Sequence, residues 1–91
     1  MLIRFSLNYF KQMTLADCPT GETFILNSVE QVALMNRLFD LGIRQGNFYK
    51  LITKAPMKGP LLIQDSKTSN AWAIRFDDAL FIQICSESAK R

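Results

Sequence analysis

From Met35 to Gly46 the chain reads M-N-R-L-F-D-L-G-I-R-Q-G, then a mostly apolar run, then A-P-M-K-G-P. This punctuation constrains the fold more than any other stretch. Val32, Leu34, Met35, Leu38, Phe39 and Leu41 occupy one half of a helical wheel, and Ala33, Asn36, Arg37 and Asp40 the other, which predicts a helix laid against a core. Gly42 follows at once, where a left-handed residue can close the last carbonyls and turn Ile43 back onto Leu38. Gly46 then opens a strand over 47–54 rich in aromatic and branched residues. That strand stops at Ala55-Pro56, because proline has no N–H to give a ladder and pushes its predecessor away from helix.

On either side of this helix-to-strand joint the signals are those of short strands. Ile3, Phe5, Leu7 and Tyr9 alternate with polar residues, the period of a half-buried strand, although Leu2, Phe5 and Tyr9 also share a helical face. L-A-D-C-P-T-G-E reads as one helical turn capped by Thr14, closed by Pro19 and followed by a turn at Thr20-Gly21. A strand over 22–29 places Phe24 and Leu26 on one face and Ile25 on the other. Ser28 with Gln31, or Asn27 with Glu30, has the capping-box spacing and predicts where the helix begins. Further strands are expected over 61–65, 71–75 and 81–84, with one tight helical turn at Asp77-Asp78-Ala79. Five short strands and one helix suggest a small, partly open β-barrel in a single domain.

Composition narrows the chemistry. The 91 residues include no histidine, which removes the commonest general base and the commonest metal ligand. Cys18 and Cys85 are too few for a disulfide framework and read as small buried hydrophobes. No apolar run approaches the ~20 residues a membrane-spanning helix needs, and the opening segment lacks a small-residue cleavage site, so a cytoplasmic protein is expected. Gly42 and Gly46 make no phosphate loop, since G-K-[ST] is missing and a strand follows. Asp77-Asp78 reads as solvated surface or a cap, because adjacent side chains on one turn diverge. Neither catalysis nor a bound cofactor is expected. The net charge is +3, and between Asp40 and Asp65 no acidic residue balances Arg44, Lys50, Lys54 and Lys58, which predicts a positive face.

The succession L-A-D-C-P-T-G-E, R-L-F-D-L-G-I-R-Q-G, A-P-M-K-G-P-L and A-I-R-F-D-D-A, over about residues 14–84, resembles the FeoA family. These are small accessory proteins of bacterial ferrous-iron uptake whose fold also forms the C-terminal domain of iron-dependent repressors. Leu38, Leu41, Gly42 and Gly46 match the family's L-x-x-L-G-x-x-x-G joint. Ala55, Pro56 and Pro60 match its A-P-x-x-x-P turn, and Arg75, Asp78 and Ala79 its L-R-x-x-E-A corner, with Ile74 and Asp78 in place of Leu and Glu. Lys58-Gly59 stands where the family often has Gly-Asp, and Phe48 and Ile52 where it commonly has polar residues. The resemblance implies an SH3-like β-barrel of about five strands, mainly β, and a partner, the membrane GTPase-permease FeoB.

Without iron ligands, such a protein is expected to act by contact. The 55–60 turn is exposed by its composition and stiffened by prolines. Its residues Ala55, Pro56, Met57, Lys58 and Pro60, with Arg37, Phe48 and Ile52, form the expected docking surface. Residues 1–12 read as an extension that covers Phe48 or Ile52, or pairs with a second copy to give a homodimer. Residues 13–85 form the domain, and 86–91 a polar tail. The rival class is a nucleic-acid-binding barrel using Arg44, Lys50, Lys54, Lys58, Lys67 and Arg75 with Tyr49, Trp72 and Phe76. Tyr49 and Trp72, however, fall at interior phases.

Overall fold

Alternating apolar residues separated by glycine and proline turns give six strands in the computed structural model, which describes residues 11–86. They are β1 (Lys11–Thr14), β2 (Thr23–Val29), β3 (Phe48–Lys54), β4 (Leu61–Asp65), β5 (Ala71–Ile74) and β6 (Ile82–Ser86). All pair antiparallel, in the order β1-β6-β2-β3-β4-β5. The expectation of a barrel of about five strands is therefore corrected: there is a sixth strand, and the sheet is not closed, because β1 and β5 do not pair. Trp72, on β5, donates its indole N–H to the Leu41 carbonyl at 3.0 Å. The far edge of the sheet is thus tied to the end of a helix rather than to β1.

One face of this sheet is the core. Phe24 and Leu26 of β2, Tyr49 and Leu51 of β3, Leu61 and Ile63 of β4, and Ile82 and Ile84 of β6 are all buried. The period of two puts Ile25, Phe48 and Cys85 side by side on the opposite face, as expected for Ile25. Register shifts between Leu26 and Ser28 and between Leu51 and Thr53 mark bulges, which bend a strand and sharpen its twist.

Thr14 ends β1 opposite Gln83 and leads into a 3-10 turn, Leu15–Asp17. Its side chain does not cap that turn, contrary to expectation, and its hydroxyl is buried without a partner. The turn is held from elsewhere. Cys18 N–H bonds the Leu15 carbonyl at 3.1 Å, and the Lys54 ammonium bonds the Ala16 carbonyl at 2.9 Å.

Helix α1 (Val32–Asp40) begins after Gln31, which makes no side-chain cap. Neither expected capping box forms, because β2 runs to Val29 and Glu30 N–H is spent on the Phe81 carbonyl at 2.9 Å. The helix ends as expected. Gly42, at φ +96°, donates to the Phe39 carbonyl at 3.0 Å, and Ile43 donates to the Leu38 carbonyl at 2.9 Å. This is the paired bonding of a Schellman cap, with Leu38 and Ile43 as its apolar contact. The breadth of the core-facing stripe is corrected. Only Leu34 and Leu38 are buried within the helix, whereas Val32, Met35, Phe39 and, just beyond it, Leu41 are exposed. A single short helix crossing one sheet covers one narrow row, and six apolar positions are more than that row can hold.

Helix α2 (Phe76–Ala79) is the single turn expected before the last strand. The strand expected over 3–9 and the last five residues lie outside the described residues.

Between β3 and β4, Met57 and Lys58 both have φ +59°, and Gly59 N–H bonds the Pro56 carbonyl at 3.1 Å. These are the marks of a type I′ turn, in which glycine or asparagine is favoured at the centre. Here neither central residue is glycine. The glycine sits one place later, where an added Cβ would lie 2.7 Å from Ala55 Cβ and 3.1 Å from the Pro56 carbonyl oxygen. Left-handed conformation costs an ordinary residue ~1–2 kcal/mol. Lys58→Gly should therefore stabilise the protein by up to ~1 kcal/mol after the entropy that glycine adds to the unfolded chain. Gly59→Ala should destabilise it by ~1–3 kcal/mol through the clash. Urea midpoints of the two variants check both signs.

Candidate functional site

Three surfaces carry the residues of interest. The first is a corner where α1, α2 and the 55–60 turn meet. Arg37, facing outward from α1 as the helical phase requires, reaches Asp78 on α2 at 2.9 Å, and Arg75 approaches the same carboxylate at 3.3 Å. The Asp78 side chain is largely sheltered. Its hydrogen bond, and then its charge, push the Arg75 guanidinium's pKa up. Arg75 also lines a shallow depression with Phe76, Asp77, Lys58 and Pro60, and the Lys58 ammonium stands 5.9 Å above the Phe76 ring. The corner thus joins Arg37 to Lys58 and Pro60. Met57, at the tip of the turn, is 98% exposed, and Ala55 and Pro56 are exposed beside it.

Phe48 and Ile52 lie elsewhere, on the outer face of β3. Phe48 pairs with Ile25 at the opposite end of the strand from the turn. At ~3.3 Å per residue, the six steps from Phe48 to Lys54 span ~20 Å. The expected docking surface therefore divides, with Arg37 and the turn on one patch, Phe48 on another and half-buried Ile52 between.

The third surface is a groove of about 300 Å³ between α1 and the sheet, floored by Leu26, Leu38 and Ile43 and walled by Met35 and Phe39. Its position follows from the joint. Arg44 N–H donates to the Tyr49 hydroxyl at 2.8 Å, and the Gln45 side-chain amide donates to the Asn27 carbonyl. At its mouth the Arg44 guanidinium lies 3.8 Å from the centre of the Phe39 ring and donates to the Phe39 carbonyl at 2.7 Å. Sequence reasoning placed Phe39 and Met35 in the core and so missed this groove. The available signal was the width of the apolar half of α1.

The basic residues do not share one face, which corrects the expectation of a positive middle. Arg44 is at the groove, Lys50 on the outer face of β3, Lys54 bonded to the Ala16 carbonyl and Lys58 at the turn. Tyr49 is fully buried and Trp72 packs against the core, so neither offers a face to a base. Among the described residues no cluster of cysteine, aspartate and glutamate could hold a metal ion, and no helix is long and apolar enough to cross a membrane.

The model of the FeoA domain matches residues 13–84. No curated protein matches the sequence significantly. Among solved structures, the chain is similar to the FeoA of Stenotrophomonas maltophilia solved with zinc, described as a prokaryotic SH3 domain protein. The two share 27% identity over 79% of this chain and 88% of that one, with a TM-score of 0.65. It is also similar to the FeoA protein of Chlorobium tepidum, at 26% identity over 79% of this chain and 68% of that one, TM-score 0.69. A manganese-dependent transcriptional repressor shares the fold at 13% identity, with 85% of this chain overlying 42% of the repressor and a TM-score of 0.73.

Cysteine chemistry is quenched by burial. Desolvation pushes the Cys18 thiol up from 9.0 to about 11, with the Lys54 charge opposing and the Glu22 charge adding to the rise. Because the folded pKa lies above the unfolded one, the associated stability is fully present below pH 9.0 and is lost as pH rises towards about 11. Thermal melts of wild type and Cys18→Ala should run parallel below pH 9.0, and the wild type alone should lose extra stability between there and pH 11.

Proposed function

Because the chain belongs to the FeoA family, we propose that it docks on the cytosolic side of a FeoB-type ferrous-iron transporter through the corner formed by the 55–60 turn, Arg37 and α2. FeoA domains are non-catalytic accessory modules of bacterial iron uptake that act by protein contact, so the working part of such a module is a surface. The observation that carries this reading is the turn itself. Met57 stands almost wholly in water on a backbone where it and Lys58 both adopt the left-handed conformation. Strain of that kind persists where surrounding structure imposes it, and it gathers at binding and switch sites. Ala55 N–H to the Pro60 carbonyl at 2.9 Å and Gly59 N–H to the Pro56 carbonyl at 3.1 Å impose it here.

A stiff turn loses little backbone freedom on binding, which favours an anchor, and an apolar contact at its tip must then offset the cost of ordering the flexible Met57 side chain. Around it Arg37, Lys58 and Arg75 outnumber Asp77 and Asp78, so a partner surface with an acidic rim suits the corner. Such rim charges act mainly on association rate and salt dependence. The protein is then a cytoplasmic regulator held at the inner membrane by its partner. Residues 13–85 are its working unit, to which Lys11 and Gln12 add by pairing with β6, and the extension before them is available for covering the outer face of β3 or for pairing two copies.

A pull-down against the cytosolic domain of a FeoB-type transporter, with and without GTP, tests the reading. Met57→Ser with Lys58→Ser should weaken capture at least tenfold while leaving the melting temperature within a few degrees. Unchanged capture would remove the turn from the interface, and no capture of wild type in either nucleotide state would overturn the docking itself.

A further inference from the structure

A second surface, distinct from the turn, leaves large apolar side chains of α1 in water. Val32, Met35 and Phe39, spaced along one face of α1, are 70%, 41% and 57% exposed. Burying apolar side chains of this size is favourable, a gain the described fold leaves unused. Met35 and Phe39 wall the groove whose floor is Leu26, Leu38 and Ile43. Its volume of about 300 Å³ is at the lower bound for ligand pockets, room for one or two large side chains rather than a cofactor.

The charge at the mouth selects among apolar occupants. Among the described residues no carboxylate lines the groove, and the one charged residue lining it is Arg44. Arg44 forms no ion pair among the described residues. It is held instead by stacking on Phe39 and by a single bond to the Phe39 carbonyl. Among the described residues that leaves four of the five guanidinium N–H donors without an acceptor, in a planar fork suited to a carboxylate. The fork is also pre-positioned, because the backbone of Arg44 is clamped by the Tyr49 hydroxyl.

We propose that this groove binds a segment of the partner protein that presents a large apolar side chain next to an aspartate, a glutamate or a C-terminal carboxylate. The apolar group fills the space over Leu38 and Ile43, and the carboxylate pairs with Arg44. This rests on the docking reading above and adds to it a second contact and its chemistry.

Two small probes test the chemistry directly on the full chain. In ¹H–¹⁵N correlation spectra, 4-phenylbutyrate should give saturable shifts at Met35, Arg44 and Gln45, with a dissociation constant in the millimolar range. The matched cation 4-phenylbutylamine should bind at least tenfold more weakly. Arg44→Gln should erase that difference, and Val32→Ser, remote from the fork, should preserve it. Equal binding of the two probes, or no saturable shift at these amides, would overturn the proposal. Sedimentation equilibrium supplies a further check: a dimer that Phe39→Ser dissolves would assign the groove to a second copy and overturn it as well. The transporter pull-down separates the two readings. If Phe39→Ser and Arg44→Gln are captured as well as wild type, the groove contact falls and docking through the turn stands. If wild type is not captured while phenylbutyrate binds in the groove, the docking reading falls and the groove's preference for an apolar carboxylate stands.

Discussion

The hydroxyl of Tyr49 holds the two halves of this molecule together. Its ring is fully buried, 6.0 Å from Phe24 on one side and 6.0 Å from Trp72, edge to face, on the other. The oxygen accepts the Arg44 N–H at 2.8 Å and faces the Arg44 carbonyl at 3.4 Å. A buried tyrosine needs such a partner, and here the partner is the backbone of the joint that leaves α1. Two further bonds, Gly46 N–H to Leu26 O and Leu26 N–H to Asn47 O, at 2.8 and 3.1 Å, lay the same joint along β2. The position of α1, the groove beneath it and the aim of Arg44 all follow from where Tyr49 sits in the core.

The proposed docking makes function in this fold a matter of what the joint and the turn display. The chain belongs to a family of accessory modules in bacterial iron uptake, and its described surface offers two different kinds of grip. At the corner, an apolar tip is surrounded by arginine and lysine whose charges are only partly matched by Asp77 and Asp78. At the groove, an apolar trough ends in one unmatched guanidinium. The two share α1 but use different residues of it, Arg37 at the corner and Met35 and Phe39 at the groove, so each can be altered by its own substitutions.

Local chemistry made most of the fold legible in the sequence. The Gly42 cap, the stop at Ala55-Pro56, the strand at Leu61–Asp65 and the turn of helix before β6 are each dictated by a few neighbouring residues. What escaped was set by contacts distant in sequence. Lys11–Thr14 pairs with Ile84 and its neighbours, a partnership that four residues do not announce, and Thr14 therefore became the end of a strand instead of a cap. The capping boxes failed because Glu30 was claimed by Phe81. Periodicity named the apolar half of α1 correctly but gave no measure of how much of it one sheet can cover. The docking residues divided because a strand is extended: at ~3.3 Å per residue, six steps carry Phe48 ~20 Å from the turn at the other end of β3.

The left-handed pair at Met57-Lys58 also bears on how the chain finds its fold. The β3–β4 hairpin is closed by a short loop, residues 55–60, and a favourable turn lets such a hairpin form early. Here the turn disfavours its own geometry, so the hairpin is a poor nucleus and must be drawn shut by contacts already made elsewhere. Those contacts, Phe24 with Tyr49 and Leu26 with Ile84, join residues far apart in the chain. The expected order of assembly thereby shifts from local towards long-range contacts, and a slower search is expected from the same few residues that present Met57 to the solvent.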